Sequence, residues 1–70
     1  MNRFARWLSD WLFWKNMTQR QLAAEIGISQ SAISAHISGK RNPTYRTVRK
    51  YCQFFGEPDH FSVYELTLMK

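Results

Sequence analysis

The hydrophobic positions of the chain recur at helical spacing, and glycines together with prolines divide them into segments. The first segment carries an apolar stripe and predicts an amphipathic helix over residues 2–15. Its stripe consists of Phe4, Leu8, Trp11 and Leu12. Trp7, Phe13 and Trp14 lie off this stripe, so the helix needs cover on a second side, which the core of one small domain cannot provide.

A second helix is predicted from a capping box. Thr18 can accept a hydrogen bond at the start of the helix while Gln21 reaches back to the capping residue. Leu22 and Ile26 then face inward. Gly27 supplies the left-handed backbone that ends the helix and begins a sharp turn.

The third and fourth helices are each expected to begin at a capping hydroxyl and to end at a glycine. Ser29 caps the third helix, which runs to Gly39, and Thr44 caps the fourth, which runs to Gly56. The third helix should turn Ile33 and either His36 or Ile37 inward. The inward stripe of the fourth consists of Val48, Tyr51, Cys52 and Phe55.

The tail after Pro58 has a different pattern. Residues 61–68 are rich in strand formers, and their apolar positions alternate with polar ones, which predicts a short C-terminal strand. The alternating apolar residues are Tyr64, Leu66 and Leu68. The alternative is a fifth helix begun by Asp59, with Phe61, Tyr64 and Leu68 inward. The expected fold class is therefore mainly α, a bundle of four to five helices with or without a short C-terminal β-strand.

Positive charge is concentrated in the first fifty residues. Residues 1–50 hold nine Lys and Arg against Asp10 and Glu25, a net charge of +7, whereas residues 51–70 have a net charge of −2. A basic body favours a polyanion, because each phosphate contact releases condensed counterions. The acidic end is expected to point away from that partner.

Several other classes of protein are disfavoured by the residues present. Cys52 is the single cysteine, so no disulfide framework is expected, and it forms no zinc-ligand set with His36 and His60 at workable spacing. The apolar runs are too short to cross a bilayer, and no leader sequence is evident. No nucleophile has a base beside it, and no phosphate-cradling loop occurs, which argues against an enzyme. We expect a cytoplasmic protein with no cofactor, membrane or small-molecule partner.

The segment from Gln19 to Ile33 has the spacing of two helices crossing at a turn. Ala23 is small enough for the two helices to cross closely, and Gly27 makes the turn four residues later. Ile33 then packs the third helix against the second. The pattern TQxxLAxxIGISQSxIS continues through His36 to the run GKRNP. It resembles the Cro/repressor helix-turn-helix family over about residues 4–57.

This resemblance implies a lambda-repressor-like bundle in residues 1–57 that binds a two-fold operator as a dimer, with the third helix in the major groove. Residues 58–70 would form a separate tail. The positions implied to face base edges are Gln30, Ser31, Ser34 and Ala35. The expected phosphate contacts are Gln19, Arg20, Ser38, Lys40, Arg41, Asn42, Arg46 and Arg49.

Two positions depart from the family pattern. His36 stands where the family usually has an apolar core residue, and Ile37 stands where it often has a glutamate. We expect His36 to be a structural, partly buried histidine. Cys52, on an apolar stripe, is expected to fill the core.

The expected function is that of a sequence-specific double-stranded DNA-binding regulator, a Cro-like repressor acting on a palindromic operator at the nucleoid of a bacterial host. An antitoxin, a restriction-modification controller protein and a protein-interaction module on a helix-turn-helix scaffold are the alternatives. One recognition helix specifies only a few base pairs, so a homodimer is expected. Its interface would use the tail and the surplus aromatics, namely Trp7, Phe13, Trp14, Tyr64, Leu66 and Leu68.

Overall fold

The computed structural model describes residues 2–69 and folds them into five α-helices followed by one 3-10 turn. The helices are α1 (Arg3–Lys15), α2 (Gln19–Ile26), α3 (Gln30–Ser38), α4 (Tyr45–Phe55) and α5 (His60–Glu65), and the 3-10 turn is Leu66–Leu68. The four helices predicted from the sequence are all present, within a residue or two of their expected ends. None of the helices within this range is long and apolar enough to cross a membrane.

Local side-chain hydrogen bonds set the beginnings of the helices. The Thr18 hydroxyl accepts from the Gln21 N–H at 3.0 Å, and the Gln21 side chain accepts from the Thr18 N–H at 2.8 Å, which confirms the predicted capping box. The Ser29 hydroxyl caps α3 by accepting from the Ala32 N–H, and the Thr44 hydroxyl caps α4 by accepting from the Thr47 N–H, both as predicted. A cap of this kind satisfies backbone donors that the helix itself leaves unpaired.

The turn between α2 and α3 depends on Gly27, whose φ is +71°. Side chains with a Cβ rarely adopt this left-handed backbone, whereas glycine does so without cost. The Gly27 N–H donates to the Ala23 carbonyl and closes α2. α3 begins three residues later, at Gln30.

The core lies between the helices and contains the predicted inward stripes. α1 packs against α3, α2 packs against α3 and α4, and α4 packs against α5. The 3-10 turn returns to lie against α1. The largest fully buried side chains are Tyr51, Phe4, Leu8, Leu22, Ile33, Val48 and Cys52.

The aromatic residues of α1 divide into two groups. The Trp11 ring stacks on Phe55 with centroids 4.9 Å apart, and the Trp7 ring meets the same Phe55 edge-on at 5.9 Å. Both indoles therefore pack partly inside the domain. Phe13 and Trp14, in contrast, are 84% and 81% exposed and have almost no cover within the chain.

The predicted C-terminal strand is wrong, because residues 60–68 form α5 and the 3-10 turn. The Asp59 carboxylate accepts a hydrogen bond from the Ser62 N–H at 3.1 Å, so this helix begins at the residue that the alternative named. Its inward side differs from that alternative, since Phe61 is 61% and Leu68 71% exposed.

The side chains that α5 and the 3-10 turn do bury explain this result. Val63 and Thr67 are each 5% exposed, and the Thr67 hydroxyl donates to the Tyr64 carbonyl at 2.7 Å. A spacing of four residues places both on one face of helical backbone. Strand propensity reflects packing on a sheet, and residues 2–69 form no sheet to which this segment could add.

Candidate nucleic-acid interface

The outer side of α3 is polar and accessible, while its inner side is anchored in the core. Ile33 and His36 are buried. Gln30, Ser31 and Ser34 are exposed, and Ala35 is half-buried at the edge of the same surface. The four residues predicted to contact bases thus lie on or beside one face of a helix that packing holds in place.

The loop after α3 folds back onto the end of that helix. The Ala35 carbonyl accepts hydrogen bonds from the N–H groups of Lys40 and Arg41, at 3.0 and 3.3 Å. The Gly39 backbone makes this possible with φ of +78°. The backbone that carries these two exposed cationic side chains is therefore held directly beyond the last turn of the polar helix.

The other predicted phosphate contacts surround α3 on neighbouring elements. Arg46 and Arg49 are exposed on α4, and Arg20 is exposed at the start of α2. Gln19 is half-buried on the first turn of α2. The Ser38 hydroxyl donates to the Ala35 carbonyl at 3.2 Å, so its hydrogen is already used within α3.

Asn42 has a structural role that the sequence did not predict. Its Oδ1 accepts from Asn2 Nδ2 at 3.0 Å, and its Nδ2 donates to the Thr67 carbonyl at 3.1 Å. Asn2 also caps α1 by accepting from the Ala5 N–H at 2.7 Å. The side chain of Asn42 therefore connects the loop after α3 to residues near both ends of the domain. A phosphate contact by Asn42 would have to use its remaining amide hydrogen.

The signal for this connection was only partly present in the sequence. An asparagine before a helical segment is a recognisable N-cap. The partners of Asn42, however, are 40 and 25 residues away along the chain, and no local spacing identifies them.

His36 lies on the inner side of α3, as expected, but it is buried more completely than the partial burial predicted. It is 4% exposed, and its Nδ1 is hydrogen-bonded to the Tyr51 hydroxyl at 2.8 Å. Burial lowers the pKa of His36, and the positive charge of Arg41 lowers it further. The ring is thus held neutral beneath the polar face of α3. Ile37 is half-buried against the core beside it.

Cys52 fills the core, as predicted, and is fully buried. Burial raises the pKa of the Cys52 thiol to about 11, with further contributions from the charges of Glu57 and Asp59. The thiol therefore stays protonated at neutral pH. No cluster of three or more His, Cys, Asp or Glu side chains that could hold a metal ion occurs in residues 2–69.

The residues predicted for dimerisation differ in how far they are exposed. Trp7 and Leu66 are half-buried against the core, and Tyr64 packs edge-on against Tyr45 with centroids 5.5 Å apart. Phe13, Trp14 and Leu68 remain largely exposed.

Comparison with protein-family models identifies the class of this molecule. The helix-turn-helix family model matches residues 14–61, which include α2, the glycine turn, α3 and α4. The chain belongs to the helix-turn-helix family of the Cro/repressor type, and its fold is the predicted lambda-repressor-like helical bundle. It is a helix-turn-helix DNA-binding regulator, from a family that is generally non-enzymatic. No curated protein and no solved structure matched significantly.

Proposed function

We propose that the protein is a Cro-like repressor that binds a palindromic operator as a homodimer and blocks transcription by occupying that site at the host nucleoid. The observation that carries the proposal is the two-sided character of α3. Ile33 and His36 fix the helix in the core, while short polar side chains occupy its outer face. A rigid helix with a polar face is what major-groove recognition requires.

Gln30 carries most of the proposed base recognition. It is exposed on the first turn of α3, and its amide can pair bidentately with adenine N6 and N7. Ser31 and Ser34 offer shorter hydroxyls on the same face, and the Ala35 methyl group can contact a thymine methyl. Because Ala35 is half-buried, its contact would be made at the edge of the interface.

The exposed cations around α3 are proposed to hold the DNA backbone. Lys40 and Arg41 lie on the loop that is hydrogen-bonded to the end of α3, and Arg46 and Arg49 follow on α4. Such contacts position a protein on the duplex and make binding depend on salt. The proposed set of phosphate contacts also includes Gln19, Arg20, Ser38 and Asn42.

A substitution at Gln30 tests base recognition directly. Operator sites selected from random duplex DNA would first define the preferred sequence. Gln30→Ala should then cost about 1–3 kcal/mol of binding free energy and relax the preference at one base pair in each half-site. Gln53→Ala is the matched control, because Gln53 is an exposed glutamine on α4 with no proposed contact. Uniform weakening on all sequences would make Gln30 a positioning residue.

The salt dependence of binding tests the phosphate contacts. Arg41→Ala should reduce the slope of log K against log salt concentration by about one unit, because one phosphate contact is lost. Arg41→Lys keeps the charge and should keep the slope. The absence of any salt-dependent duplex binding in the wild-type protein would favour the protein-interaction alternative.

A further inference from the structure

Four side chains of α1 lie along one outer stripe of the helix, which we call the α1 seam: Arg3, Trp7, Asp10 and Trp14. Their spacings of four, three and four residues are those of the contact positions in a coiled coil. Arg3, Asp10 and Trp14 are exposed, and Trp7 is half-buried.

Two surface hollows adjoin along the α1 seam. The larger, of about 480 Å³, is lined by Asn2, Arg3, Arg6, Trp7, Asp10 and Leu66. The smaller, of about 240 Å³, is lined by Trp7, Asp10, Trp11 and Trp14. Trp7 and Asp10 belong to both, so cationic side chains stand at one end of a continuous groove and indole rings at the other. Trp14 projects from the second end, 81% exposed.

We propose that the α1 seam is the contact surface between two copies of this chain, packed antiparallel about a two-fold axis that passes α1 midway between Trp7 and Asp10. The proposal rests on the homodimer proposed above and names its interface. Trp14 of each copy enters the larger hollow of the other and lies against Arg3, while Trp7 lies against the second copy's Asp10.

The symmetric order of residues along the α1 seam favours a second copy as the occupant. The midpoint between positions 3 and 14 is also the midpoint between positions 7 and 10. One antiparallel alignment therefore brings both pairs of residues into contact. A two-fold interface is self-complementary in this sense, because residue i meets residue j and j meets i. A parallel alignment would instead place Arg3 on Arg3 and Asp10 on Asp10.

The chemistry of the Arg3–Trp14 pair is also favourable. A guanidinium over an indole face makes a cation–π contact, which strengthens when solvent is excluded. The structure already contains one such contact, since Lys15 Nζ lies 6.0 Å from the centre of the Trp11 ring. Trp and Arg are the residues most enriched at the centres of protein interfaces.

The same geometry excludes Phe13 from the interface. It directly precedes Trp14, so it is rotated by about 100° around the helix axis and points off the α1 seam. Phe13 and Trp14 are adjacent, aromatic and similarly exposed. They therefore form a matched pair for experiment.

Sedimentation equilibrium of the full chain tests this interface. Trp14→Ala should raise the dissociation constant of the dimer by roughly 30-fold or more, because each dimer loses two tryptophan side chains and their contacts with Arg3. Phe13→Ala should leave it within about twofold. Circular dichroism would verify that both variants keep the fold, as expected for exposed positions.

An exchange of partners tests the antiparallel alignment. Trp14→Arg places two guanidinium groups together and should abolish the dimer, and the additional change Arg3→Trp should restore it by reversing each pair. Failure of this rescue, or a dimer that survives Trp14→Arg, would overturn the α1 seam while the dimer itself stands. A wild-type protein that is monomeric both free and on its operator would instead overturn the dimer.

Discussion

Removal of the Tyr51 hydroxyl should destabilise the protein through the contact between α4 and α3. Tyr51 is fully buried on α4, and its hydroxyl is the hydrogen-bond partner of His36 Nδ1 on α3. Every buried side-chain nitrogen or oxygen in residues 2–69 has a partner. Tyr51→Phe would therefore leave the Nδ1 of His36 unpaired in the core, while the aromatic ring keeps its packing against Phe4.

The expected cost follows from that unpaired atom. A buried polar group without a partner costs about 1–3 kcal/mol. For a domain of this size, this loss corresponds to a decrease in Tm of roughly 5–20 °C. His36→Leu should be similarly destabilising, because it leaves the Tyr51 hydroxyl unpaired instead.

A double-mutant cycle separates the hydrogen bond from simple loss of packing. Urea denaturation followed by circular dichroism would give the free energy of unfolding of the wild type, both single variants and the double variant. With both polar groups gone, the double variant should be more stable than the sum of the single losses predicts, by about 1–2 kcal/mol. Strictly additive losses would refute the reasoning, because they would show that His36 and Tyr51 do not depend on each other.

Three further outcomes are expected. The free energy of unfolding should decrease as the pH falls below 6.5, the ordinary histidine pKa. The reason is that the unfolded chain takes up a proton there, whereas His36 in the folded protein does not, because its pKa is lowered. Urea denaturation at several pH values should show that the free energy of unfolding depends less on pH in the His36→Leu, Tyr51→Phe double variant. Asn42→Ala should lower stability by about 1 kcal/mol, since two hydrogen bonds between the basic loop and the chain ends are lost; an unchanged Tm would show that these bonds contribute nothing. Ser29→Ala should cost about 1 kcal/mol through loss of the α3 cap, whereas Ser29→Asn, which can still cap, should cost little.

The parts of the fold that could be predicted are those encoded by neighbouring residues. Thr18 with Gln21, and Ser29 with the N–H three residues on, act within one turn of helix, so their residue types reveal them. The same is true of the outer face of α3, which follows from helical spacing once Ile33 is placed inward.

The tail could not be predicted because its structure depends on distant contacts. Its strand formers alternate as they would in a sheet, yet Val63 is buried in the core and α5 packs against α4. Of the local signs of a helix, the structure confirms the cap at Asp59. The structural role of Asn42 was hidden for the same reason, because both of its partners lie far away in the sequence.

The 3-10 turn against α1 also bears on how the chain folds during synthesis. Domains are made from the N-terminus, and a partly made chain exposes whatever its later residues will cover. A nascent chain that has reached only α4 can form α2, the glycine turn and α3, whose contacts are close in sequence. It has neither Val63 nor Thr67, and α1 stays uncovered on the side where Leu66–Leu68 will pack. α1 therefore acquires its full set of neighbours only after Leu66–Leu68 has been synthesised.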